Sequence, residues 1–198
     1  MTDFPLVILA AGNSSRMGTS KALLPWMKST LIKELVDKYL QLNKEVIVVS
    51  GSNHKALLNL QLKTSHIVEN TNYEQGMGKS IAVGVNYVQS HFPKAKGVFI
   101  LTVDQPFIPL SHLKNMLAVF KSNTIIVSSS EQAYRGIPSL FSAAYFEELA
   151  ALDDDEGAKP VCFKYNTQLK LVQTAHEDLD DMDTPEMYEK LKERLNLQ

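Results

Sequence analysis

The chain has a single cysteine, Cys162, so no disulfide can close within it and no cysteine-rich metal site is available. No apolar run approaches the ~18 residues of a membrane span. Asp3 stands near the start and no basic cluster precedes an apolar stretch there, which argues against a secretory leader. Twenty Lys and Arg against 22 Asp and Glu leave a net charge of −2, so no global basic field recruits nucleic acid or an acidic membrane. The histidines are few and scattered: His54, His66, His91, His112 and His176 fall outside every motif described below, and each reads as structural or exposed. These absences predict a cytoplasmic protein with neither a membrane nor a nucleic acid as partner. What is present is ordinary for one globular domain with a sizeable core: 198 residues, 44% hydrophobic and 21% charged.

Short β-rich apolar runs alternate with helix-period stretches. Phe4–Ala10, Val46–Val49, Ile67–Val68, Val98–Val103 and Thr124–Val127 read as strands, the first too apolar to be half exposed. Leu31–Leu42, a segment from Ser52 or Asn53 to about Leu62, Ile81–Val88, and a stretch capped by Ser111 and ending at Phe120 read as helices. This β-α-β-α-β-α-β order predicts an α/β fold, a parallel sheet covered by helices on both faces. After about Ser128 the rhythm loosens, with helices expected at Ala143–Leu152 and Pro185–Leu195 and a strand near Leu169–Val172.

Ligands of open parallel sheets bind at the carboxyl ends of the strands. AGNSSRMGTSK follows the first predicted strand, ENTNYEQGMGKS the third and DQPF the fourth, so all three gather at one edge. Two familiar phosphate loops are excluded by spacing. A dinucleotide fingerprint needs G-x-G-x-x-G, yet Gly12 and Gly18 are six apart with no glycine between; a P-loop needs glycine five residues before Gly78, where Tyr73 stands. The chemistry of an anion cradle is nevertheless there. Gly12 allows close backbone approach and positive φ. Successive N–H groups with the Ser14 and Ser15 hydroxyls can hold phosphate. Arg16 supplies a bidentate fork and Lys21 a mobile point charge.

Leu9, Ala10, Ala11, Gly12, Ser14, Arg16, Met17, Gly18 and Lys21 together resemble the signature loop of nucleotidyltransferases of the MobA-like class. The A-A-G-x-S form is similar to the branch that attaches CMP to molybdopterin; the guanylyl branch usually has glycine where Ala11 and Ser14 stand. The resemblance continues through Gly76-Met77-Gly78-Lys79-Ser80, Asp104-Gln105-Pro106, Gly136-Ile137-Pro138 with Leu140-Phe141, Asp155-Glu156-Gly157-Ala158-Lys159 and Asp181-Met182-Asp183-Thr184-Pro185.

That resemblance implies a three-layer α/β/α sandwich with a Rossmann-like, mostly parallel sheet of the nucleotide-diphospho-sugar transferase type. It would form a single domain, 1–198, with an NTP-binding half to about residue 128 and an acceptor-binding half from about 129. It implies Mg²⁺-dependent transfer of a nucleoside monophosphate from an NTP, with CTP expected, to a phosphorylated acceptor, with molybdopterin expected, and release of pyrophosphate. The alternatives are a sugar or alditol phosphate as acceptor, guanylyl transfer to molybdopterin, or a nucleotide-binding protein without turnover. A molybdoenzyme or its chaperone would be the protein partner.

The implied residues are Arg16, Lys21 and Asp104 for catalysis, and Leu9, Ala10, Ala11, Gly12, Ser14, Arg16, Lys21, Gly76, Gly78 and Ser80 for the nucleotide. Asp104 and Asp183 would hold the metal, with Asp181 as the alternative to Asp183. Arg135, Gly136, Pro138, Gly157 and Lys159 would face the acceptor. Competing readings remain at four of these places. Asp104 could simply start a turn, Ser80 could cap a helix rather than meet the base, and Arg135 and Lys159 could be surface charge. Gly76 and Gly78 would let backbone approach the nucleobase. An acceptor phosphate is already ionised, so the reaction needs no general base.

Overall fold

The computed structural model describes residues 3–12, 17–42, 45–63, 65–132 and 135–196. In chain order the elements are β1 (Leu6–Ala10), β2 (Pro25–Trp26), β3 (Ser29–Thr30), α1 (Leu31–Tyr39), β4 (Val46–Ser50), α2 (His54–Asn59), β5 (Ser65–Glu69), α3 (Met77–His91) and β6 (Gly97–Thr102). There follow α4 (Leu110–Ala118), β7 (Ile125–Ser129), β8 (Arg135–Ser142), α5 (Phe146–Ala150), α6 (Lys159–Lys164), β9 (Leu169–Gln173) and α7 (Pro185–Asn196). Strands β2 and β3 form a small hairpin; the other seven form one sheet in the order β5-β4-β1-β6-β8-β7-β9.

The sheet is the middle of three layers because its strands are apolar on both faces. In β1, Leu6, Ile8 and Ala10 pack toward α1, α4 and α7, while Val7 and Leu9 pack toward α3, α5 and α6. All five β1 residues are buried, and each Leu or Ile so removed from water contributes about 1.5–3 kcal/mol. Helix α1 turns Leu31, Ile32, Leu35, Val36 and Tyr39 to the sheet; α3 turns Ile81, Val85 and Val88 to its other face.

β4 and β5 extend the sheet from one side of β1, and the chain then crosses to lay β6 on the other side. The strand order therefore reverses between β1 and β6, and the crevice beyond their carboxyl ends is the expected ligand position. The carboxyl ends of β4 and β5 border the same edge.

One strand departs from the sequence pattern. The segment after Ser128 reads as irregular, but Arg135–Ser142 is β8, antiparallel between β6 and β7. Gly136 and Pro138 disguise it, since proline removes a ladder donor. The pairing accommodates this: Val127 faces Ser139 while Ser128 faces Gly136, so the register shifts at Ile137-Pro138 and the proline falls at the irregularity. Smaller departures concern helix limits. Pro109 precedes α4, which makes Ser111 a second-position residue and not its cap. Ala143–Tyr145 is a 3-10 turn before the short α5.

Candidate active site

The crevice between β1 and β6 opens into a cleft of about 310 Å³. Leu9, Ala10, Ala11 and Gly12 form its floor, Thr102, Val103 and Asp104 one wall, and Tyr73, Gly76, Met77 and Ser80 the other. Ser20, Lys21, Ala22 and Asp183 complete it.

Its charged centre is a lysine between two carboxylates. Lys21 Nζ donates to Asp104 Oδ2 at 2.9 Å and to Asp183 Oδ1 at 2.6 Å. The side chains come from three distant stretches: a 3-10 turn (Lys21–Leu23) after the first loop, the end of β6, and the approach to α7. Burial alone would lower the lysine's pKa, but the carboxylates of Asp104 and Asp183 outweigh it and hold the ammonium above its ordinary value. Lys21 is therefore a fixed positive charge across the neutral range.

The turn carrying Asp104 is tied down on several sides. Val103 N donates to Leu9 O at 3.1 Å, and Met182 N donates to Asp104 O at 3.1 Å. Gln105 is buried; its Nε2 donates to Leu179 O at 3.0 Å, and its Oε1 accepts from Thr102 Oγ1 at 3.4 Å. Lys38, on α1, donates to Pro106 O at 2.9 Å. The two carboxylate-bearing segments are thus joined twice, once through backbone at Asp104 O and once by the side-chain amide of Gln105. Asp183 is not consumed by helix capping, because Thr184 Oγ1 accepts from Met187 N at 3.3 Å and Pro185 takes the first helical position. Asp181 lines a separate hollow with His176, Leu179 and Lys190. Burial, with Asp183 and Asp104 as like charges nearby, raises its pKa.

The sequence-predicted residues divide clearly. Leu9, Ala10, Ala11, Gly12, Lys21, Gly76, Ser80, Asp104 and Asp183 come together in the cleft. Ser14, Ser15 and Arg16 lie outside the described residues. Gly12 does not take positive φ; Gly18 (φ 66°) supplies the turn instead. Gly78 is not among the lining residues: its N donates to Asp154 O at 2.8 Å, and a Cβ there would stand 2.7 Å from that oxygen. Gly76, at φ 109°, lines the cleft but also lies against the Asp155 backbone, 2.4 Å from where a Cβ would be. Both glycines therefore seat the 153–155 segment on the start of α3, a role that spacing alone does not distinguish from approach to a base. Ser80 is not the cap of α3, which begins at Met77; its Oγ accepts from Asn70 Nδ2 at 3.0 Å.

The acceptor set is not drawn into the cleft. Arg135 is exposed at the start of β8, opposite Ser129, with Gly136 and Pro138 following in the same strand. Gly157 packs against Met77, and Lys159 is exposed at the start of α6. Sequence reasoning missed Ser20, Ala22, Tyr73, Met77, Thr102 and Val103, of which Ser20 and Thr102-Val103 adjoin Lys21 and Asp104 and could have been found from that adjacency. None of the five histidines lines the cleft.

A family model for the MobA-like NTP transferase domain matches residues 6–169. Purine catabolism protein PucB of Bacillus subtilis is 32% identical over 204 aligned positions, covering 96% of each chain. Molybdenum cofactor cytidylyltransferase of Escherichia coli is 27% identical over 70% of this chain and 68% of its own. The crystal structure of Rv0371c from Mycobacterium tuberculosis H37Rv matches with a TM-score of 0.84 and 27% identity, covering 97% of this chain and 98% of that one. A complex of Rv0371c with manganese matches at 0.77 and 25% identity over the same shares. A strand-end lysine–carboxylate centre in a switch-point crevice, together with a family match over most of the length, places the chain in the MobA-like NTP transferase family, as a nucleotidyltransferase.

Proposed function

We propose that this nucleotidyltransferase moves CMP from CTP to molybdopterin and releases pyrophosphate, with Mg²⁺ held by Asp104 and Asp183. The observation that carries the reading is the pair of carboxylates converging on one cationic atom, Lys21 Nζ, at the crevice where β1 and β6 part. Two carboxylate oxygens already arranged about one positive charge suit a hard, oxygen-seeking dication. Among the described residues no group of three or more His, Cys, Asp or Glu forms a metal cage. Two carboxylates with the remaining positions left to water and phosphate is the habit of Mg²⁺ rather than of Zn²⁺ or Ca²⁺. The manganese complex of Rv0371c supports a divalent cation in a related chain. When bound, the cation neutralises charge on the triphosphate.

In this reading an oxygen of the acceptor phosphate bonds to the α-phosphorus of CTP, and the bond from that phosphorus to the bridging oxygen of the β-phosphate breaks. Lys21 and Arg16 hold the departing phosphates and stabilise the charge that accumulates there. The nucleophile is already anionic, which agrees with a cleft without histidine. Ala11, where the guanylyl branch usually has glycine, adds a methyl group to the floor, which suits a smaller pyrimidine, and the cytidylyltransferase relative of E. coli supports the same nucleotide. In this reading Arg135, exposed at the start of β8, meets the acceptor phosphate.

The likeness to purine catabolism protein PucB along 96% of the chain supports a second reading, in which the nucleotidylated product serves purine breakdown. Pyrophosphate release measured with each of the four NTPs and Mg²⁺, with and without molybdopterin or sugar phosphates, tests the proposal. CTP-specific release that requires molybdopterin is expected; release with a sugar phosphate alone, or with GTP alone, overturns it.

A further inference from the structure

Two buried asparagines stand behind the cleft, Asn53 beyond β4 and Asn70 beyond β5. Each amide is oriented by a backbone group that can only donate. Gly51 N donates to Asn53 Oδ1 at 3.1 Å, and Asn72 N donates to Asn70 Oδ1 at 3.0 Å. The oxygen of each amide is thereby assigned, and its nitrogen must point the other way. Asn53 Nδ2 donates to Ala10 O at 2.9 Å and to Ser20 Oγ at 2.8 Å. Asn70 Nδ2 donates to Ser80 Oγ at 3.0 Å.

Ser20 and Ser80 both line the cleft, together with Ala10 and Ala11. A hydroxyl that accepts from an amide nitrogen must send its own proton elsewhere. Each hydroxyl accepts from its asparagine, and among the described residues neither donates a hydrogen bond, so neither proton is taken up by that part of the chain. The same arrangement occurs twice, behind different strands, at the two serines that line the cleft among the described residues.

We propose that Asn53 and Asn70 are positioning residues that fix Ser20 and Ser80 as hydrogen-bond donors toward the bound nucleotide. The inference rests on the nucleotide reading of this cleft and specifies its polarity. Ser20, adjoining Lys21, donates to a phosphate oxygen. Ser80, on the wall formed by α3, donates to an acceptor on the nucleobase, of which cytosine offers its ring nitrogen and its carbonyl oxygen. Ser80 thus rejects any group that presents only a donor at that point, because two donors would face one another without a partner.

Asn70→Asp reverses the device with little change of shape. The new carboxylate still accepts from Asn72 N, but now accepts from Ser80 as well, and Ser80 turns a lone pair to the base. Steady-state kinetics with CTP and Mg²⁺, alongside calorimetric CTP binding, read the effect. Asn70→Asp is expected to raise the KM and Kd for CTP about tenfold or more with kcat at saturation within about threefold. Asn70→Ala buries no charge, so it remains informative if the aspartate variant does not fold; it is expected to fall between wild type and Ser80→Ala. Asn70→Ala combined with Ser80→Ala is expected to be no worse than Ser80→Ala alone, since Asn70 acts through Ser80. Wild-type CTP affinity in a folded Asn70 variant, or additive losses in the double variant, overturns the inference alone. Failure of the wild-type chain to bind any NTP overturns the nucleotide reading and this inference with it.

Discussion

Replacing Lys21 by methionine removes the charge on which Asp104 and Asp183 converge while keeping most of the side-chain volume. Lys21 is 13% exposed and Asp104 23%, so their 2.9 Å contact is shielded from much of the solvent. A hydrogen bond to a charged group contributes about 1.5–3 kcal/mol. Asp183 is 39% exposed, and solvent screens its 2.6 Å contact to a smaller share. Relief of the lysine's own desolvation works in the opposite sense. The net loss is about 2–3 kcal/mol, and at ~2–4 °C per kcal/mol for a domain of this size the Tm falls by about 4–12 °C in chelator. On the proposed metal reading, millimolar Mg²⁺ supplies a substitute charge between the carboxylates, so it is expected to raise the Tm of Lys21→Met more than that of the wild type. Differential scanning calorimetry with EDTA and then with Mg²⁺ measures both terms. A variant that melts within about 1 °C of wild type in EDTA, or that Mg²⁺ does not stabilise preferentially, refutes the reasoning.

Other perturbations separate the layers of the site. Gln105→Leu leaves the Leu179 carbonyl without its amide partner and costs about 1–3 kcal/mol in urea unfolding, with kcat reduced more than nucleotide KM is raised; unchanged kcat in a folded variant contradicts the tie between the two carboxylate segments. Gly78→Ala drives a Cβ to within 2.7 Å of Asp154 O and lowers stability by about 1–3 kcal/mol. Among the described residues a Cβ on Gly12 meets no atom within 4 Å and Gly12 lines the cleft, so Gly12→Ala is expected to leave stability within about 0.5 kcal/mol and to weaken nucleotide binding. Burial, partly offset by Asp178, lowers the Lys38 pKa from 10.5 to about 8. Because this folded pKa lies below the unfolded one, the unfolded chain binds more protons between about pH 8 and 10.5. The wild type therefore gains up to about 3 kcal/mol across that window relative to Lys38→Met, and denaturant unfolding at both ends shows no such gain if the reasoning fails.

The parts legible in the sequence are those where one residue type suffices to state the constraint. Strands β1, β4 and β6 announce themselves because burial on both faces forces continuous apolar runs. Asp104 is recognisable since it follows the last of these directly. Strand β8 is hidden because Gly136 and Pro138 count against a strand unless the pairing is known to skip Ile137 and Pro138. The glycines of GMGKS mislead for a related reason: close approach is written in the sequence, but not whether the neighbour is a ligand or the Asp154–Asp155 backbone. Asn53, Asn70, Gln105 and Lys38 leave no pattern, because each acts from a loop or a helix face through side-chain bonds to another segment of the chain. Nothing local marks such residues, although they set where Ser20, Ser80 and Asp104 stand.

The central claim is that transfer occurs at the Asp104–Lys21–Asp183 centre, and a label chase tests it most directly. CTP labelled at the α-phosphate and CTP labelled at the γ-phosphate are incubated in parallel with molybdopterin, Mg²⁺ and either the wild-type chain or Asp104→Asn. The account predicts α-label in the acceptor and γ-label in pyrophosphate with the wild type, and neither with the variant. Equal transfer by Asp104→Asn, or γ-label released as inorganic phosphate with no α-label in the acceptor, would contradict it.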